Sequence, residues 1–395
     1  MKVEKGGITA PRGFWASGIH CGIKYKNKDL ALVYSEVAAI AAGVFTRNRV
    51  QAAPVKVTIA QLKGGQAQAI IVNSGNANCC TGSKGIDDAR KICSGVAQKL
   101  GINHSQVLVA STGIIGKRLP IAKINKATAH LIDGLSRQGG LAAAQAIMTT
   151  DSKSKQVAVK IKIGPTQVTI GGMAKGAGMI SPDMATMLAF ISMDAVISKQ
   201  RLNQALKCAV DNSFNLLTVE GDMSTNDMVL ALANGLAGNK TISRIDFEVF
   251  QKALNLVCLT LAKMIVKDAE GATKLVEVLV EGAKSLIQAK KVAFKVANSP
   301  LVKTAIFGEQ PNWGRIAAAV GSADMNIKEK KLNIYLGGTK VLGNGVGTKQ
   351  NQNKLNRIFK KDEIQIRITL GLGKFNTRAY TCDLTDKYIR INAKY

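Results

Sequence analysis

One segment of the chain combines a flexible backbone with a side chain that can act as a nucleophile. Residues 171–190 read GGMAKGAGMISPDMATMLAF, with five glycines or prolines in the first twelve positions and an apolar run at the end. Glycine lets the backbone approach another backbone or a ligand closely. Thr186 stands just before the apolar run and carries a hydroxyl. A threonine at the start of a buried strand is commonly only a strand residue, so this segment by itself leaves both interpretations open.

Two further turns place polar groups directly after short apolar runs. Residues 73–78 read NSGNAN and follow the run 69–72, and Ser111-Thr112-Gly113 follows the run 107–110. Small amide side chains like those of residues 73–78 often only satisfy the backbone of a turn, although three asparagines in six residues are more than one turn needs. Backbone N–H groups and hydroxyls in the turn at residues 111–113 can bind an anion, but the spacing of a phosphate-binding P-loop is missing there.

A third turn carries two carboxylates among cations. Residues 266–274 read VKDAEGATK and connect a run with helical spacing to an apolar run. Asp268 and Glu270 in this turn could bind an ammonium group, or they could be solvated charges at the end of a helix. The residues leave these two interpretations equally open.

Strands are predicted on both sides of the polar turns. Residues 156–163 and 364–370 alternate apolar with polar side chains, which predicts half-buried strands. The short apolar runs 69–72 and 107–110 suit buried strands.

Helices are predicted where apolar residues recur at helical spacing. This spacing covers residues 86–100 and 246–268, and Ser198 is the predicted cap of a helix over 199–210. Strands and helices therefore mix along the chain. Lysine becomes dense near residues 283–296, which indicates that a smaller C-terminal lobe begins there.

The composition is that of a globular protein with an unusual charge. Apolar residues make up 46% of the 395 positions, and the formal net charge is +28. Such a charge suits an acidic partner. The lysines are spread along the whole chain, however, and aromatic residues, at 5%, are too few to form stacking platforms for nucleic acid. We therefore expect a basic surface and no nucleic-acid partner.

Cysteine and histidine usage argues against a disulfide framework and against a metal site. Seven cysteines are spread over a long chain without a CxxC motif, and three histidines stand at no metal-ligand spacing. The chain has no run of about 18 apolar residues, and its N-terminus lacks the apolar run of a signal peptide. We expect a soluble, reduced, cytoplasmic protein with no membrane partner.

Taken together, segments along the chain, including the polar turns described above, resemble those of the glutamate/ornithine N-acetyltransferase family. The similar segments occur in the family's order along nearly the whole chain, which makes coincidence implausible. They are residues 7–11, 42–46, 73–78, 111–113, 149–151, 175–180, 184–188, 221–227, 270–274, 311–315, 382–384 and 391–393.

The resemblance implies a self-cleaving enzyme. Members cut the bond before the Thr of an Ala-Thr-Met-Leu motif, here Ala185–Thr186, to give an α chain (1–185) and a β chain (186–395). The hydroxyl attacks the preceding carbonyl in an N→O acyl shift, and water then splits the ester. Thr186 is left with a nucleophilic hydroxyl and an α-amine, which titrates near about pH 8 and can act as a general base.

The implied reaction transfers an acetyl group from N2-acetyl-L-ornithine to L-glutamate through an acetyl ester on Thr186. Its products are L-ornithine and N-acetyl-L-glutamate. Thr112 and Gly113 match the family's oxyanion-hole pair. The substrate-binding positions match Thr149, Lys175, Thr186, Glu270 and Asn392, with Thr150 as an alternative to Thr149. The resemblance implies no cofactor, although acetyl-CoA is a second acetyl donor for some members.

The fold that the resemblance implies is α/β. It is an αββα sandwich similar to that of N-terminal-nucleophile hydrolases, with different connectivity, over residues 1–285. A smaller α/β lobe over residues 286–395 contributes to the substrate site, and the cleaved chains assemble as an α2β2 heterotetramer. The alternative function is that of a related self-processed enzyme, an N-terminal-nucleophile aminopeptidase or amidase.

The chain departs from the family pattern at three places. Glu220 stands where Asp is commoner, and Met193 stands where Thr is commoner. The chain stops at Tyr395, before the terminal Ser or Thr that contacts substrate in other members. We expect that contact to be missing or replaced.

Overall fold

The structure is a computed structural model that describes residues 1–4, 6–181 and 187–393. These residues form two compact units. The first contains the described residues of 1–177, 187–215 and 223–265, and the second those of 178–181, 216–222 and 266–393. The predicted cleavage site, Ala185 and Thr186, lies outside the described residues, as does Tyr395.

The first unit is built on a mixed sheet with nine strands in the described part of the chain. The strands are β1 (Lys2–Glu4), β2 (Phe14–Ile19), β3 (Leu30–Phe45), β4 (Gln66–Asn76), β5 (Val107–Ile114), β6 (Lys155–Ile163), β7 (Thr166–Lys175), β8 (Leu188–Met193) and β9 (Met228–Ala233). They are hydrogen-bonded in the order β1-β6-β7-β8-β9-β3-β4-β5, and β2 pairs with β3 outside this path. The pairs β4–β5 and β8–β9 are parallel.

The long strand β3 joins two halves of this sheet. It pairs with β2 and β4, and its C-terminal part pairs with β9. One buried core contains side chains from both halves, including Ile70 and Leu108 of β4 and β5 and Phe190 and Leu230 of β8 and β9. The two halves therefore face each other as the two sheets of a sandwich do.

Helices cover the outer faces of both halves. The helices of this unit are α1 (Ala53–Gln61), α2 (Gly82–Leu100), α3 (Ile121–Asp133), α4 (Gly140–Ala146), α5 (Lys199–Asp211) and α6 (Arg244–Lys267). Alternation along β4 turns Ile71 to the outer face, where it shares a core with Ile92 and Val96 of α2. On the other half, a Cβ at Gly172 of β7 would lie 3.0 Å from Leu261 of α6. The predicted αββα layering of an α/β protein is therefore confirmed.

The second unit has a smaller sheet, with six strands among the described residues, in the order β13-β12-β11-β14-β10-β15. Its strands are β10 (Leu275–Ala283), β11 (Asn333–Leu336), β12 (Thr339–Gly343), β13 (Val346–Gly347), β14 (Glu363–Thr369) and β15 (Phe375–Cys382). Its helices are α7 (Leu286–Ala297), α8 (Pro300–Phe307), α9 (Trp313–Gly321), α10 (Gln352–Phe359) and α11 (Asp386–Asn392). Its longest segment starts at Val266, upstream of the predicted start of the smaller lobe at residue 286, and β10 in this segment lies between β14 and β15.

The predicted helices and strands are present, and the two buried strands are longer than predicted. Residues 69–72 are the middle of β4, and residues 107–110 are the first half of β5. Thr112 and Gly113 therefore lie inside β5 and not in a turn after it, since parallel pairing with β4 continues to its end. Ser198 caps α5 as predicted, and its side chain accepts the N–H of Arg201.

By length and composition, α6 is long and apolar enough to cross a membrane. Half of its most apolar window is buried inside the protein. Phe250, Leu254 and Val257 on this helix have no exposed surface. We interpret α6 as a core helix of the first unit.

Candidate active site

The predicted nucleophile Thr186 and its neighbour Ala185 lie outside the described residues. The next residue in the chain is Met187, which directly precedes β8. Its backbone N–H donates to Asp227 Oδ1 at 3.1 Å. The entrance to β8 is therefore held by a buried carboxyl group.

Two neighbouring strands flank the start of β8. Leu188 is opposite Lys175, the last residue of β7, and opposite Met228, the first residue of β9. The predicted substrate-binding lysine therefore lies at the end of the sheet where β8 begins.

The predicted oxyanion-hole pair lies beside this lysine. Lys175 Nζ donates to Thr112 Oγ1 at 3.4 Å, and the two residues are 3% and 5% exposed. The hydroxyl of Thr112 accepts this bond and keeps its own hydrogen, which it can donate to an oxygen of a bound group. Gly113 has φ +131°, and a Cβ there would lie 2.3 Å from the carbonyl carbon of Gly75. Glycine is therefore required for β4 and β5 to approach each other here.

Asp151 anchors this cluster, although the sequence interpretation gave it no role. Its Oδ1 accepts from Lys155 Nζ and from the Gly176 N–H, both at 2.7 Å, and its Oδ2 accepts from the Thr149 N–H at 2.9 Å. Burial alone would raise the pKa of Asp151, but Lys175 and Lys155 lower it to about 2. The ionised carboxylate thus ties the predicted substrate residue Thr149 to the segment that follows Lys175. The sequence feature that could have identified Asp151 is its place in the segment Thr149-Thr150-Asp151, which resembles the family.

Lys24 brings a further positive charge that the sequence interpretation missed. Its Nζ donates to the carbonyl of Met148 at 2.5 Å and to that of Lys28 at 2.9 Å. Burial lowers the pKa of Lys24 to about 8. Met148 precedes Thr149 and Thr150, which are both half-buried, so burial does not choose between these two candidates.

The asparagines of residues 73–78 have structural partners. Asn73 donates to the carbonyl of Asn76 at 2.8 Å and accepts from Ser111 Oγ at 2.5 Å. Asn78 donates to the carbonyl of Gly85 at 2.9 Å. Of the two interpretations of this motif, the structure supports the one in which its side chains satisfy the local backbone.

Glu270 and Asn392, two predicted substrate residues, lie together in the second unit. Asn392 Nδ2 donates to Glu270 Oε2 at 2.8 Å. A Cβ at Gly178 would lie 2.7 Å from the Glu270 carboxyl carbon, so the backbone of residue 178 passes directly over this carboxylate. Glu270 is 9% exposed, and Asp268 is more exposed. The turn between α6 and β10 therefore presents one buried carboxylate, as an ammonium site requires.

Glu220 is a second carboxylate in this unit, and the sequence interpretation gave it no role. Its Oε2 accepts from the Ile180 N–H at 2.9 Å, and its Oε1 is buried without a hydrogen-bond partner among the described residues. Burial, with the charge of Glu270, raises the pKa of Glu220 to about 7 against the opposing effect of Lys303. Burial and these carboxylates also raise the pKa of the Tyr388 phenol. Glu220 and Glu270 together make this region acidic.

Replacing Glu220 by Gln is expected to stabilise the protein at pH 8 and to change its stability little at pH 5. A carboxyl group with a pKa of about 7 when folded and 4.5 when unfolded holds more protons in the folded state between these values. The free energy of unfolding therefore falls as the pH rises through this window, by about 3 kcal/mol in total. Glutamine has no charge to bury. Melting temperatures of both proteins at the two pH values check this, and a difference that does not depend on pH would contradict it.

Residues 15–395 match the model of the ArgJ family. The chain belongs to this family. It is similar to the arginine biosynthesis bifunctional protein ArgJ of Caldanaerobacter subterraneus subsp. tengcongensis, with 47% identity over 401 residues and complete coverage of both chains. The ArgJ protein of Bacillus subtilis is 44% identical over 393 residues, which are 99% of this chain and 96% of that protein. Among solved structures, the ornithine acetyltransferase of Mycobacterium tuberculosis complexed with ornithine is 43% identical over 46% of this chain and 97% of its own, with a TM-score of 0.43.

Membership of the ArgJ family confirms the resemblance predicted from the sequence segments. Of the site residues predicted for an ArgJ protein, Thr112, Gly113, Thr149 and Lys175 lie in the first unit. Glu270 and Asn392 lie in the second unit, and the remaining two, Ala185 and Thr186, fall outside the described residues.

Proposed function

We propose that this ArgJ-family chain is an acetyltransferase of arginine biosynthesis that moves an acetyl group from N2-acetyl-L-ornithine to L-glutamate through an ester on Thr186. The observation that carries the proposal is the contact between Lys175 Nζ and Thr112 Oγ1, 3.4 Å apart at the end of the sheet where β8 begins. A cation and a hydroxyl donor at this place suit a reaction in which negative charge develops on a carbonyl oxygen.

Self-cleavage precedes transfer in this proposal. The hydroxyl oxygen of Thr186 attacks the carbonyl carbon of Ala185, the C–N bond breaks, and the proton moves from oxygen to nitrogen. Water then hydrolyses the ester, which leaves the Ala185 carboxylate and a free α-amine on Thr186. This amine, with a pKa of about 8, is the base for later steps.

Transfer then takes two steps. Thr186 Oγ attacks the acetyl carbonyl of N-acetylornithine, its proton passes by way of the α-amine to the leaving nitrogen, and ornithine departs. The amine of glutamate attacks the acetyl ester, and N-acetylglutamate departs as the threonine hydroxyl is restored. The Thr112 hydroxyl and the Gly113 N–H stabilise the oxyanion of each tetrahedral intermediate. The ester replaces one difficult amide transfer by two easier steps.

Substrate recognition uses charges of both signs. We assign Lys175 to a substrate carboxylate, with Thr149 as a hydrogen-bonding neighbour. Glu270, held by Asn392 at 2.8 Å, is assigned to the ammonium group of ornithine. A partly desolvated ion pair of this kind discriminates strongly between charged and neutral substrates.

Replacing Glu270 by Gln is expected to raise the KM for N-acetylornithine roughly 10- to 100-fold, the effect of losing a hydrogen bond to a charged group. Glutamine can still accept from Asn392, so the site keeps its shape. Asp268→Asn is the matched control, because it removes a neighbouring but more exposed carboxylate, and its KM should stay near that of the wild type. Steady-state kinetics with varied N-acetylornithine measure both. Equal KM values for E270Q and wild type would reject the assignment.

Three further properties belong to this proposal. Acetyl-CoA serves as a second acetyl donor for glutamate, which the word "bifunctional" in the relatives' name supports. The cleaved chains form an α2β2 heterotetramer. The enzyme works in the cytoplasm and needs no cofactor.

The test is incubation of the purified protein with N-acetylornithine, with and without glutamate. Formation of N-acetylglutamate and ornithine in equal amounts, only when glutamate is present, is the expected result. Release of free acetate without N-acetylglutamate would favour the aminopeptidase or amidase alternative. Adding acetyl-CoA and glutamate without N-acetylornithine tests the second donor.

A further inference from the structure

Lys24 lies in the loop between β2 and β3, and the proposed reaction gives it no role. Asp29, which has no exposed surface and directly precedes β3, fixes the backbone of this loop. Its Oδ1 accepts the Cys21 N–H at 2.6 Å, and its Oδ2 accepts the N–H groups of Ile23 and Lys24 at 2.7 and 2.9 Å. The point from which the Lys24 side chain starts is therefore set by a buried carboxyl group.

The stem of Lys24 packs beside the strands that carry the predicted oxyanion hole. A Cβ at Gly75 would lie 3.0 Å from Cγ of Lys24. Gly75 of β4 is opposite Gly113 of β5, and a Cβ at Gly113 would lie 2.3 Å from the carbonyl carbon of Gly75. Both Lys24 and Gly113 are therefore packed closely against Gly75.

The ammonium group of Lys24 reaches the segment that carries Thr149. Nζ donates to the carbonyl oxygen of Met148 at 2.5 Å and to that of Lys28 at 2.9 Å. The first bond joins residues 124 positions apart, whereas the second stays within the loop. A hydrogen bond from an ammonium group is stronger than one between neutral groups. Lys24 therefore fastens the chain that follows α4 to the loop.

The peptide unit between Met148 and Thr149 is held at both of its polar groups. Its carbonyl accepts from Lys24 Nζ, and its N–H donates to Asp151 Oδ2 at 2.9 Å. Asp151 is itself held by the buried Lys155, whose Nζ lies 2.7 Å from Oδ1. A cation and an anion thus fix the backbone from which the Thr149 side chain starts.

We propose that Lys24 is a positioning residue for substrate binding: through the Met148 carbonyl it fixes Thr149, the residue assigned to hydrogen-bond the substrate. The inference rests on the proposed function, because that function gives Thr149 its role. Lys24 exchanges no proton with the substrate, and its effect passes through the peptide unit that it holds together with Asp151. Side chains that bind a substrate keep a precise geometry only when neighbouring residues hold them in place.

The first test is Lys24→Met, which keeps an unbranched stem beside Gly75 and removes the ammonium group. K24M is expected to raise the KM for N-acetylornithine about tenfold, the effect of losing a hydrogen bond to a charged group, with kcat unchanged. A change in KM alone indicates lost binding that the substrate and the transition state share. Steady-state kinetics on the cleaved protein measure both constants, and a K24M variant with the wild-type KM would overturn the proposal.

Lys28→Met is the matched control, since it makes the same substitution in the same loop. Lys28 is also half-buried, and its Nζ donates to the carbonyl of Gly18 in β2 at 2.9 Å. This bond stays inside the hairpin of β2 and β3, and the Lys28 carbonyl that Lys24 binds is kept. K28M is expected to lower the melting temperature and to keep the wild-type KM. An equal rise in KM for both variants would show that the cause is loop stability, and this too would overturn the proposal.

The second test asks whether Lys24 acts through Thr149. T149V keeps the shape of the side chain, removes its hydroxyl and is expected to raise the KM. Because Lys24 only places this hydroxyl, K24M should raise the KM little further when it is combined with T149V. Effects that multiply, or a wild-type KM for T149V, would overturn the proposal. If K24M does not fold, K24Q, whose side chain is one bond shorter than that of lysine, is measured by the same criterion.

Failure of the proposed function is distinguishable from failure of this inference. Wild-type protein that binds ornithine but transfers no acetyl group would reject the proposed function. The Kd of ornithine, measured by calorimetry, then replaces the KM as the readout for Lys24, with the same tenfold weakening expected for K24M. An unchanged Kd would reject the role of Lys24.

Discussion

Replacing Thr186 by alanine is expected to leave one intact chain of 41.9 kDa that transfers no acetyl group. Alanine has no hydroxyl to attack the Ala185 carbonyl, so neither the free α-amine nor the acetyl ester can form. Removing a catalytic nucleophile costs on the order of 10⁶-fold in kcat. Wild-type protein should instead run as two fragments on a denaturing gel, and dividing 41.9 kDa in the ratio 185 to 210 gives about 20 and 22 kDa.

The control for this variant is Thr186→Ser, which keeps the hydroxyl and the α-amine and should still be cleaved and active. N-terminal sequencing of the larger wild-type fragment should begin Thr-Met-Leu. An alanine variant that is cleaved and active would show that another residue is the nucleophile. Wild-type protein that is fully active as one chain would reject self-cleavage.

Replacing Thr112 by valine is expected to lower kcat by about 10²- to 10³-fold, or about 2.7–4 kcal/mol, the usual cost of one oxyanion-hole donor. Valine has nearly the same shape as threonine but no hydroxyl. The KM for N-acetylornithine should change little, because the oxyanion exists in the transition state and not in the bound substrate. Steady-state kinetics on the cleaved protein measure both constants.

Thr112→Ser is the matched control for this prediction. Serine keeps the donor and the acceptor for Lys175 Nζ, which lies 3.4 Å from Oγ1 in the wild type, so its kcat should stay close to that of the wild type. An equally large loss in both variants would point to packing inside β5 as the cause. A valine variant with wild-type kcat would show that the oxyanion is bound by other donors.

The sequence predicted the strands that alternate and missed the pairing that organises them. β6 was predicted because its apolar and charged side chains alternate. β3, which reads LALVYSEVAAIAAGVF, has no such period because both faces of much of it are buried. Its pairing with β9 joins residues about 190 positions apart, and no local pattern carries that information. Because this pairing cannot be predicted locally, the sequence pattern does not predict that Lys175 lies next to Thr112.

From the sequence, only those site residues that lie in segments resembling the family could be predicted. These motifs supplied Lys175 and Glu270, whose types suit their proposed partners. Asp151, Glu220 and Asp227 were missed, although their burial changes the pKa of each. Asp151 accepts a backbone N–H from a residue 25 positions away, and Glu220 and Asp227 each accept one from a residue 40 positions away. Asp151 also accepts the N–H of nearby Thr149. A carboxylate becomes buried through such long-range partners, so its environment cannot be read from its neighbours in sequence.

A nick between Ala185 and Thr186 falls between β7 and β8, two adjacent strands of one sheet. The strand order then inserts β8 and β9, contributed by the downstream polypeptide, between β7 and β3, both contributed by the upstream polypeptide. Separating the two pieces would break the backbone hydrogen bonds of the β7–β8 and β3–β9 pairs and would expose the hydrophobic core that the pieces share. Such a nick would add two chain ends but would leave the two pieces held together, and we expect them to separate only on denaturation.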